Sequence, residues 1–168
     1  VFVSGGAALD PEIFEDFQTM GFPICEGYGL TETAPVLTVN PLEQTKSGAV
    51  GPPLPNVEIR LENQDATGVG EIVSRGPTIM DGYYKNEEAT NSVLKDGWFH
   101  TGDLGRLDDD GYLFITGRVK DLIVTPAGKN VYPDEVEMLY RDLPGMKEMT
   151  VLGVKASKGL GEQVHMVV

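Results

Sequence analysis

The sequence is poor in cysteine and has no long apolar stretch, and each of these absences excludes a class of protein. Cys25 is the only cysteine among 168 residues, so this sequence cannot form an internal disulfide or a multi-cysteine metal site. No apolar stretch approaches the roughly 20 residues of a membrane-spanning helix, and residues 1–4 lack the basic segment of a secretory signal. These absences favour a cytoplasmic location.

Basic residues are also scarce, with 13 lysines and arginines against 26 acidic residues and a net charge of −13. The few cations form no basic run, so the summed field repels phosphate backbones and anionic membranes. A nucleic-acid partner is therefore not expected. A hydrophobic content of 40% favours a folded globular protein over a disordered one.

The first third of the chain has the pattern of an α/β segment. Asp10 and Pro11 are a helix-start signal, and apolar residues at helical spacing follow as far as Gly21, which predicts a helix over 11–20. Ile24 and Cys25 predict a short strand that leads into a glycine-rich turn. Such strand ends are common ligand-binding edges in α/β proteins.

From about residue 48 to 117, short β-rich runs alternate with Gly, Pro, Asn and Asp clusters, which predicts a small β-barrel or sandwich. Asp108 to Gly111 is predicted to be a hairpin turn. Its three carboxylates lack the remaining ligand spacing of a calcium loop, so no metal is assigned there.

Residues 118–168 have a mixed pattern. A strand is predicted at 122–124, then a helix from Pro133 with Val136, Leu139, Tyr140 and Leu143 on one face and Pro144-Gly145 at its end. Two strands are expected at 149–154 and 163–168. Because the chain begins and ends within strand patterns, we expect it to be a piece of a longer protein.

The most informative run extends from Glu26 to Thr33, Glu-Gly-Tyr-Gly-Leu-Thr-Glu-Thr. It places an aromatic ring, a hydroxyl and a carboxylate between glycines that let the backbone approach a ligand closely. That combination suits a nucleotide. In isolation the same run is also compatible with a strand end that enters a polar turn.

Two later runs, Trp98 to Asp103 and Gly117 to Val124, stand in order with the first. Together the three resemble signatures of the adenylate-forming superfamily, which includes acyl-CoA synthetases, luciferases and the adenylation domains of peptide synthetases. Residues 4–9 resemble its adenine-pocket loop, and Gly70 to Val73 with Gly82 to Tyr84 resemble its connecting strand motif. Residues 120–133 are most similar to long-chain fatty acyl-CoA synthetases.

The resemblance implies an α+β fold with parts of two domains. Residues 1–117 would be the end of a large N-terminal domain, with a strand-helix-strand part and a β-barrel part. Residues 118–168 would be the start of a small C-terminal domain. The resemblance also implies roles for single residues. Thr31 would donate a hydrogen bond to the phosphate, Glu32 would hold Mg²⁺, and Tyr28 would stack on adenine. The other implied nucleotide contacts of the large domain are Gly5, Ala7, Gly27 and Ile115.

Asp103 would accept hydrogen bonds from both ribose hydroxyls, which a carboxylate with two oxygens can do, although a cap after Thr101-Gly102 is the alternative on local sequence. By the resemblance Arg118 closes the nucleotide pocket and Lys120 is the hinge of the small domain. Ala127 and Gly128 fall where the family brings backbone beside the pantetheine arm of CoA. The loop is one residue longer than in many relatives, which leaves the choice between these two open.

The family's phosphate loop and its catalytic lysine have no counterpart in these 168 residues. We therefore expect the complete protein to be a fatty acid–CoA ligase that uses ATP, Mg²⁺ and CoA, and the 168 residues alone to be inactive and prone to self-association. Peripheral membrane contact of the complete enzyme is left open. The alternatives are another adenylate-forming enzyme, such as an acyl carrier protein ligase, an aryl-CoA ligase or a luciferase-like oxidase, and a non-catalytic nucleotide-binding module of the same fold.

Overall fold

The computed structural model describes residues 1–7, 9–141, 143–155 and 161–168 and has the mixed α+β composition expected from the sequence. The chain forms two compact units. The first contains Val1–Thr101 and Gly105–Ile115, and the second contains Gly102–Leu104 and Thr116–Val168. The domain boundary at 117/118 stays a prediction. Within the described residues no helix is long and apolar enough to cross a membrane.

The first unit begins with a three-stranded sheet of order β1-β2-β3. Its strands are β1 (Phe2–Ser4), β2 (Ile24–Tyr28) and β3 (Thr38–Val39), and β1 and β2 are parallel. The predicted first helix is confirmed as α1 (Pro11–Thr19), which connects the two parallel strands. Its start follows from Asp10, whose carboxylate accepts a hydrogen bond of 2.8 Å from the Glu12 amide.

The β-rich region from 48 to 117 contains a five-stranded sheet of order β4-β5-β7-β6, with β8 paired to β7. Its strands are β4 (Glu58–Glu62), β5 (Gly70–Arg75), β6 (Leu94–Lys95), β7 (Trp98–Leu107) and β8 (Leu113–Arg118). A short helix that the sequence analysis did not predict, α2 (Glu87–Val93), precedes β6. Ile72, Val73, Phe99 and Leu113 are among the buried residues of this part of the unit.

The predicted turn at 108–111 is confirmed between β7 and β8. The Asp108 carboxylate accepts hydrogen bonds from the amides of Asp110 and Tyr112. Lys46 Nζ lies 2.5 Å from Asp108 Oδ2, 2.7 Å from Asp110 Oδ2 and 4.3 Å from the centre of the Tyr112 ring. The Lys46 ammonium group therefore neutralises part of the turn, and it holds the pKa of Asp108 below its usual value.

The second unit contains two antiparallel strand pairs and a helix. They are β9 (Ile123–Val124), β10 (Asn130–Val131), α3 (Pro133–Tyr140), β11 (Thr150–Lys155) and β12 (Glu162–Val167). The predicted helix start and the last two strands are confirmed. The predicted apolar face is wrong in its C-terminal part, because α3 ends at Tyr140, Leu143 lies beyond it, and Leu139 is 80% exposed.

Replacement of Asn40 should show how strongly the first unit depends on one buried amide. Asn40 is fully buried, donates 2.9 Å hydrogen bonds to the carbonyls of Lys46 and Ala49, and accepts one from the Lys46 amide. Asn40→Ala leaves these backbone groups without that partner, and we expect the free energy of unfolding to fall by about 3 kcal/mol. Urea unfolding of the 168-residue chain measures it. Asn91→Ala, at an exposed position of α2, is the control, and equal losses in the two variants would contradict the assignment.

Candidate functional site

The glycine-rich turn after β2 is shaped by close backbone packing. A Cβ atom at Gly29 would collide with the Pro35 carbonyl oxygen, and one at Gly27 would lie 3.1 Å from the Thr38 carbonyl oxygen. Tyr28 is half-buried, and its carbonyl accepts a 2.8 Å hydrogen bond from the Leu37 amide. Glycine at 29 is therefore required by packing, and it brings residues 30–37 back against the end of the strand.

The turn continues as a single 3-10 turn, Thr31–Thr33, that presents Glu32. The buried Thr33 hydroxyl accepts a 2.9 Å hydrogen bond from the Leu30 amide and lies 2.9 Å from the carbonyl oxygens of Leu30 and Pro35. Thr31 is exposed and Glu32 is half-buried. The turn is thus fixed from within by Thr33, which leaves the two predicted functional side chains on its outer side.

Glu32 has a partner that sequence reasoning did not identify. The Tyr83 hydroxyl donates a 2.9 Å hydrogen bond to Glu32 Oε1, and the Met80 amide donates one of 2.9 Å to the Glu32 carbonyl. The motif Gly82 to Tyr84 resembles part of the connecting strand motif of the adenylate-forming superfamily. Nothing in the sequence, however, indicates that its first tyrosine reaches a carboxylate 51 residues away.

The predicted adenine-pocket loop meets the glycine-rich strand. A Cβ atom at Gly5 would lie 3.5 Å from the Gly27 carbonyl oxygen, so these two predicted residues are neighbours. Ala7 is exposed. Ala8 lies outside the described residues.

In the second unit, Asp103 and Arg118 form an ion pair, with 3.3 Å between Asp103 Oδ1 and Arg118 Nε. Asp103 is only 7% exposed, whereas Arg118 is largely exposed. Gly102, before Asp103, has a φ angle of +73°, which favours glycine. The glycine is thus required by backbone conformation, and a buried carboxylate is paired with a cation that solvent can reach.

The other predicted residues are divided between the two units. Ile115 is half-buried on β8, in the first unit. Lys120 is exposed in a 3-10 turn, Val119–Asp121, and borders a cavity of about 420 Å³ in the second unit. Ala127 and Gly128 are exposed in the turn between β9 and β10, where Gly128 has a φ angle of +75°. Their roles as hinge and CoA contacts stay predictions.

The structure therefore brings together Gly5 with Gly27 in the first unit and Asp103 with Arg118 in the second. Convergence of Tyr28 and Glu32 with Asp103 and Arg118 around one nucleotide stays a prediction, because the two pairs belong to different units. His100 is a neighbour of two glutamates. It pairs with Glu71, at 3.1 Å between Nδ1 and Oε2.

Two further carboxyl groups are electrostatically unusual. Glu26 is 5% exposed, and among the described residues its Oε2 has no hydrogen-bond partner. Burial raises the pKa of this carboxyl group above the ordinary value. In the second unit, burial together with Glu137 and Asp121 raises the pKa of Asp134, while Arg118 opposes the shift. Sequence reasoning assigned neither residue, since neither type nor spacing reveals burial.

The donor set around Glu32 fits Mg²⁺ held by one protein carboxylate. Among the described residues no group of three or more His, Cys, Asp or Glu side chains could hold a metal ion as a cage. Magnesium is commonly bound by one or two carboxylates together with water and substrate phosphates. A half-buried carboxylate at a strand end, with one oxygen already oriented by Tyr83, matches that mode.

Glu26→Gln should stabilise the chain in a pH-dependent way. Because the pKa of Glu26 is raised in the folded state, folding takes up a proton, and stability is lost as the pH rises above the ordinary glutamate value of about 4.3. The variant, which cannot ionise, should therefore be more stable than the parent at pH 7 and about equal to it near pH 4.

Urea unfolding at the two pH values measures this difference. Glu15→Gln, at an exposed position of α1, is the matched control. A loss of stability at pH 7 in Glu26→Gln would show that the carboxylate has a charged partner and would overturn the interpretation.

Among curated proteins, the chain is 42% identical over 151 residues to a long-chain-fatty-acid–CoA ligase of Mycobacterium bovis, which covers 90% of this chain and 24% of that protein. It is 41% identical over 171 residues to a long-chain-fatty-acid–CoA ligase of Escherichia coli O157:H7, over 98% of this chain and 30% of that protein. The chain thus spans less than a third of the length of either relative.

Solved structures show the same relationship. ATP-bound MatB from Rhodopseudomonas palustris matches with a TM-score of 0.87 and 38% identity, over 99% of this chain and 34% of that one. O-succinylbenzoate coenzyme A synthetase from Bacillus subtilis, in complex with ATP and magnesium ion, matches with a TM-score of 0.86 and 34% identity, over 98% and 35% of the two chains.

The model of the family described as AMP-binding enzyme matches residues 1–84, which contain the loop at Gly5, the glycine-rich turn and the Tyr83 segment. The chain belongs to the AMP-binding enzyme family.

Proposed function

We propose that the complete protein is an ATP-dependent fatty acid–CoA ligase that forms an acyl-adenylate and then an acyl-CoA thioester. The observation that carries this proposal is the 41% identity, over 98% of the chain, to a long-chain-fatty-acid–CoA ligase. The aligned length includes both units and therefore the residues that the sequence analysis assigned to ATP and to CoA. The cofactor is Mg²⁺, and the substrates are a fatty acid, ATP and CoA.

In the adenylation step a carboxylate attacks the α-phosphate of ATP and pyrophosphate leaves. Both reactants are anions, so the barrier falls mainly through positioning and charge neutralisation. Glu32 would hold the cation that supplies this neutralisation. Thr31, exposed beside it, would donate to a phosphate oxygen, and the half-buried Tyr28 ring would stack on adenine.

Asp103 would bind the ribose hydroxyls. Its ion pair with Arg118 orients the buried carboxylate, and the exposed guanidinium would donate to ribose or phosphate oxygens. For thioester formation, Lys120 would be the pivot, and the turn at Ala127 and Gly128 would pass beside the pantetheine arm. The left-handed backbone of Gly128 suits such a close approach.

The proposed setting of the enzyme is the cytoplasm, without a nucleic-acid partner. The 168-residue chain by itself is proposed to self-associate. Large apolar side chains at its start support this, since Val1 and Val3 are 78% and 81% exposed and Phe2 is 51% exposed.

A second candidate is a CoA ligase for a different acid. The O-succinylbenzoate coenzyme A synthetase and MatB structures match both the fold and about a third of the residues, so the motif residues alone do not select a fatty acid. Product analysis with a panel of acids separates the two candidates. A non-catalytic module would retain nucleotide binding without any acid-dependent exchange.

ATP–pyrophosphate exchange should separate the chain from the complete protein. We expect the 168-residue chain to give no acid-dependent exchange, since it lacks the phosphate loop and the catalytic lysine implied by the resemblance. The complete protein should exchange with long-chain acids and form their CoA thioesters. Exchange with aromatic or dicarboxylic acids alone would favour the second candidate, and absence of exchange with every acid would favour the non-catalytic module.

Asp103→Ala in the complete enzyme should weaken ATP binding selectively. Loss of charge-assisted hydrogen bonds to ribose is expected to raise the KM for ATP about 10- to 100-fold with a much smaller change for the fatty acid. Asp109→Ala, in the exposed turn between β7 and β8, controls for loss of a negative charge. Equal losses for both substrates would mean that Asp103 is structural.

A further inference from the structure

Tyr83 and Tyr84 are consecutive residues of one type in very different surroundings. The Tyr83 hydroxyl donates a 2.9 Å hydrogen bond to Glu32 Oε1, and its ring is half-buried. Tyr84 is 87% exposed, and its ring faces the Lys85 ammonium group at 5.1 Å. Only the first tyrosine is built into the turn that carries the predicted metal ligand.

Residues 80–83 also form a hydrogen bond with the backbone of the Thr31–Thr33 turn. The Met80 amide donates a 2.9 Å hydrogen bond to the Glu32 carbonyl, three residues before the tyrosine that binds the carboxylate. Side chain and backbone of Glu32 are therefore both bound by residues 80–83. Rotation of the carboxylate and displacement of the turn each require that one of these bonds break.

Tyr83 is in turn held by α2. The Thr90 hydroxyl accepts a 2.9 Å hydrogen bond from the Tyr83 amide and donates one of 2.8 Å to the Asn86 carbonyl. Gly82 has a φ angle of +148°, and a Cβ atom there would lie 2.8 Å from Thr90 Cγ2, so the segment lies directly on the helix. The backbone of Tyr83 is thus held on α2, and its phenol reaches Glu32 from that position.

We propose that Tyr83 is a positioning residue for the Glu32 carboxylate: its hydrogen bond to Oε1 fixes the orientation in which Glu32 binds a divalent cation together with nucleotide phosphates. Partners that orient a ligating carboxylate commonly contribute 10- to 100-fold to metal affinity. The inference rests on the proposed function, because it takes Glu32 as the cation ligand.

The test compares the complete protein with its Tyr83→Phe and Tyr84→Phe variants. Binding of Mn²⁺ in the presence of ATP, followed by the paramagnetism of the ion, gives a readout that does not depend on turnover. We expect Tyr83→Phe to weaken Mn²⁺ binding about tenfold and to raise the half-saturating Mg²⁺ concentration of pyrophosphate exchange by a similar factor. At saturating Mg²⁺ the KM of Tyr83→Phe for ATP should equal that of the parent. Tyr84→Phe should match the parent throughout.

Thr90→Val keeps the phenol but removes the acceptor of the Tyr83 amide, and it should give a smaller loss of the same kind. If Tyr83→Phe does not fold, Thr90→Val provides the test of the positioning role of Tyr83. Unchanged Mn²⁺ binding in the folded variants, or an equal loss in Tyr84→Phe, would overturn the inference while leaving the proposed function intact. A parent that binds no Mn²⁺ with ATP and exchanges no pyrophosphate would overturn both.

Discussion

The close return of the chain behind Gly29 is the constraint on which the candidate site depends. Residues 30–37 can fold back on the end of β2 only because position 29 has no side chain to meet the Pro35 carbonyl. The Thr33 hydroxyl then binds the turn from within, and Glu32 projects outward to Tyr83. A local steric requirement of the backbone thus sets the direction of the one carboxylate proposed to hold the cation.

The proposed nucleotide ligand is strongly anionic, although the net charge of the 168 residues is −13. Several of the 13 lysines and arginines are paired with a carboxylate or an aromatic ring. Lys46 neutralises the turn at Asp108, and Arg118 is paired with the buried Asp103. Since Arg118 is largely exposed, it can exchange part of that pairing for a ligand oxygen at a modest desolvation cost.

Much of the fold could be predicted because local signals determined it. Asp10 and Pro11 mark the start of α1, and the glycine and aspartates at 108–111 form the expected turn, since cap and turn chemistry act over a few residues. Leu139 shows the limit: helical spacing placed it on an apolar face, but spacing does not say which part of that face is covered. The family resemblance made Tyr28, Glu32 and Asp103 candidate site residues, whereas the Tyr83 contact and the burial of Glu26 arise from tertiary packing, which sequence motifs do not encode.

The hydrogen bond between Tyr83 and Glu32 joins residues 51 positions apart. The orientation of the Glu32 carboxylate therefore depends on a long-range contact. Closing a loop of that length costs conformational entropy beyond that of a local turn. A synthetic peptide with the whole glycine-rich turn would therefore carry the correct side chains without the contact that orients them. During refolding, the orientation of the Glu32 carboxylate would be complete only once residues 80–83 have packed against the turn.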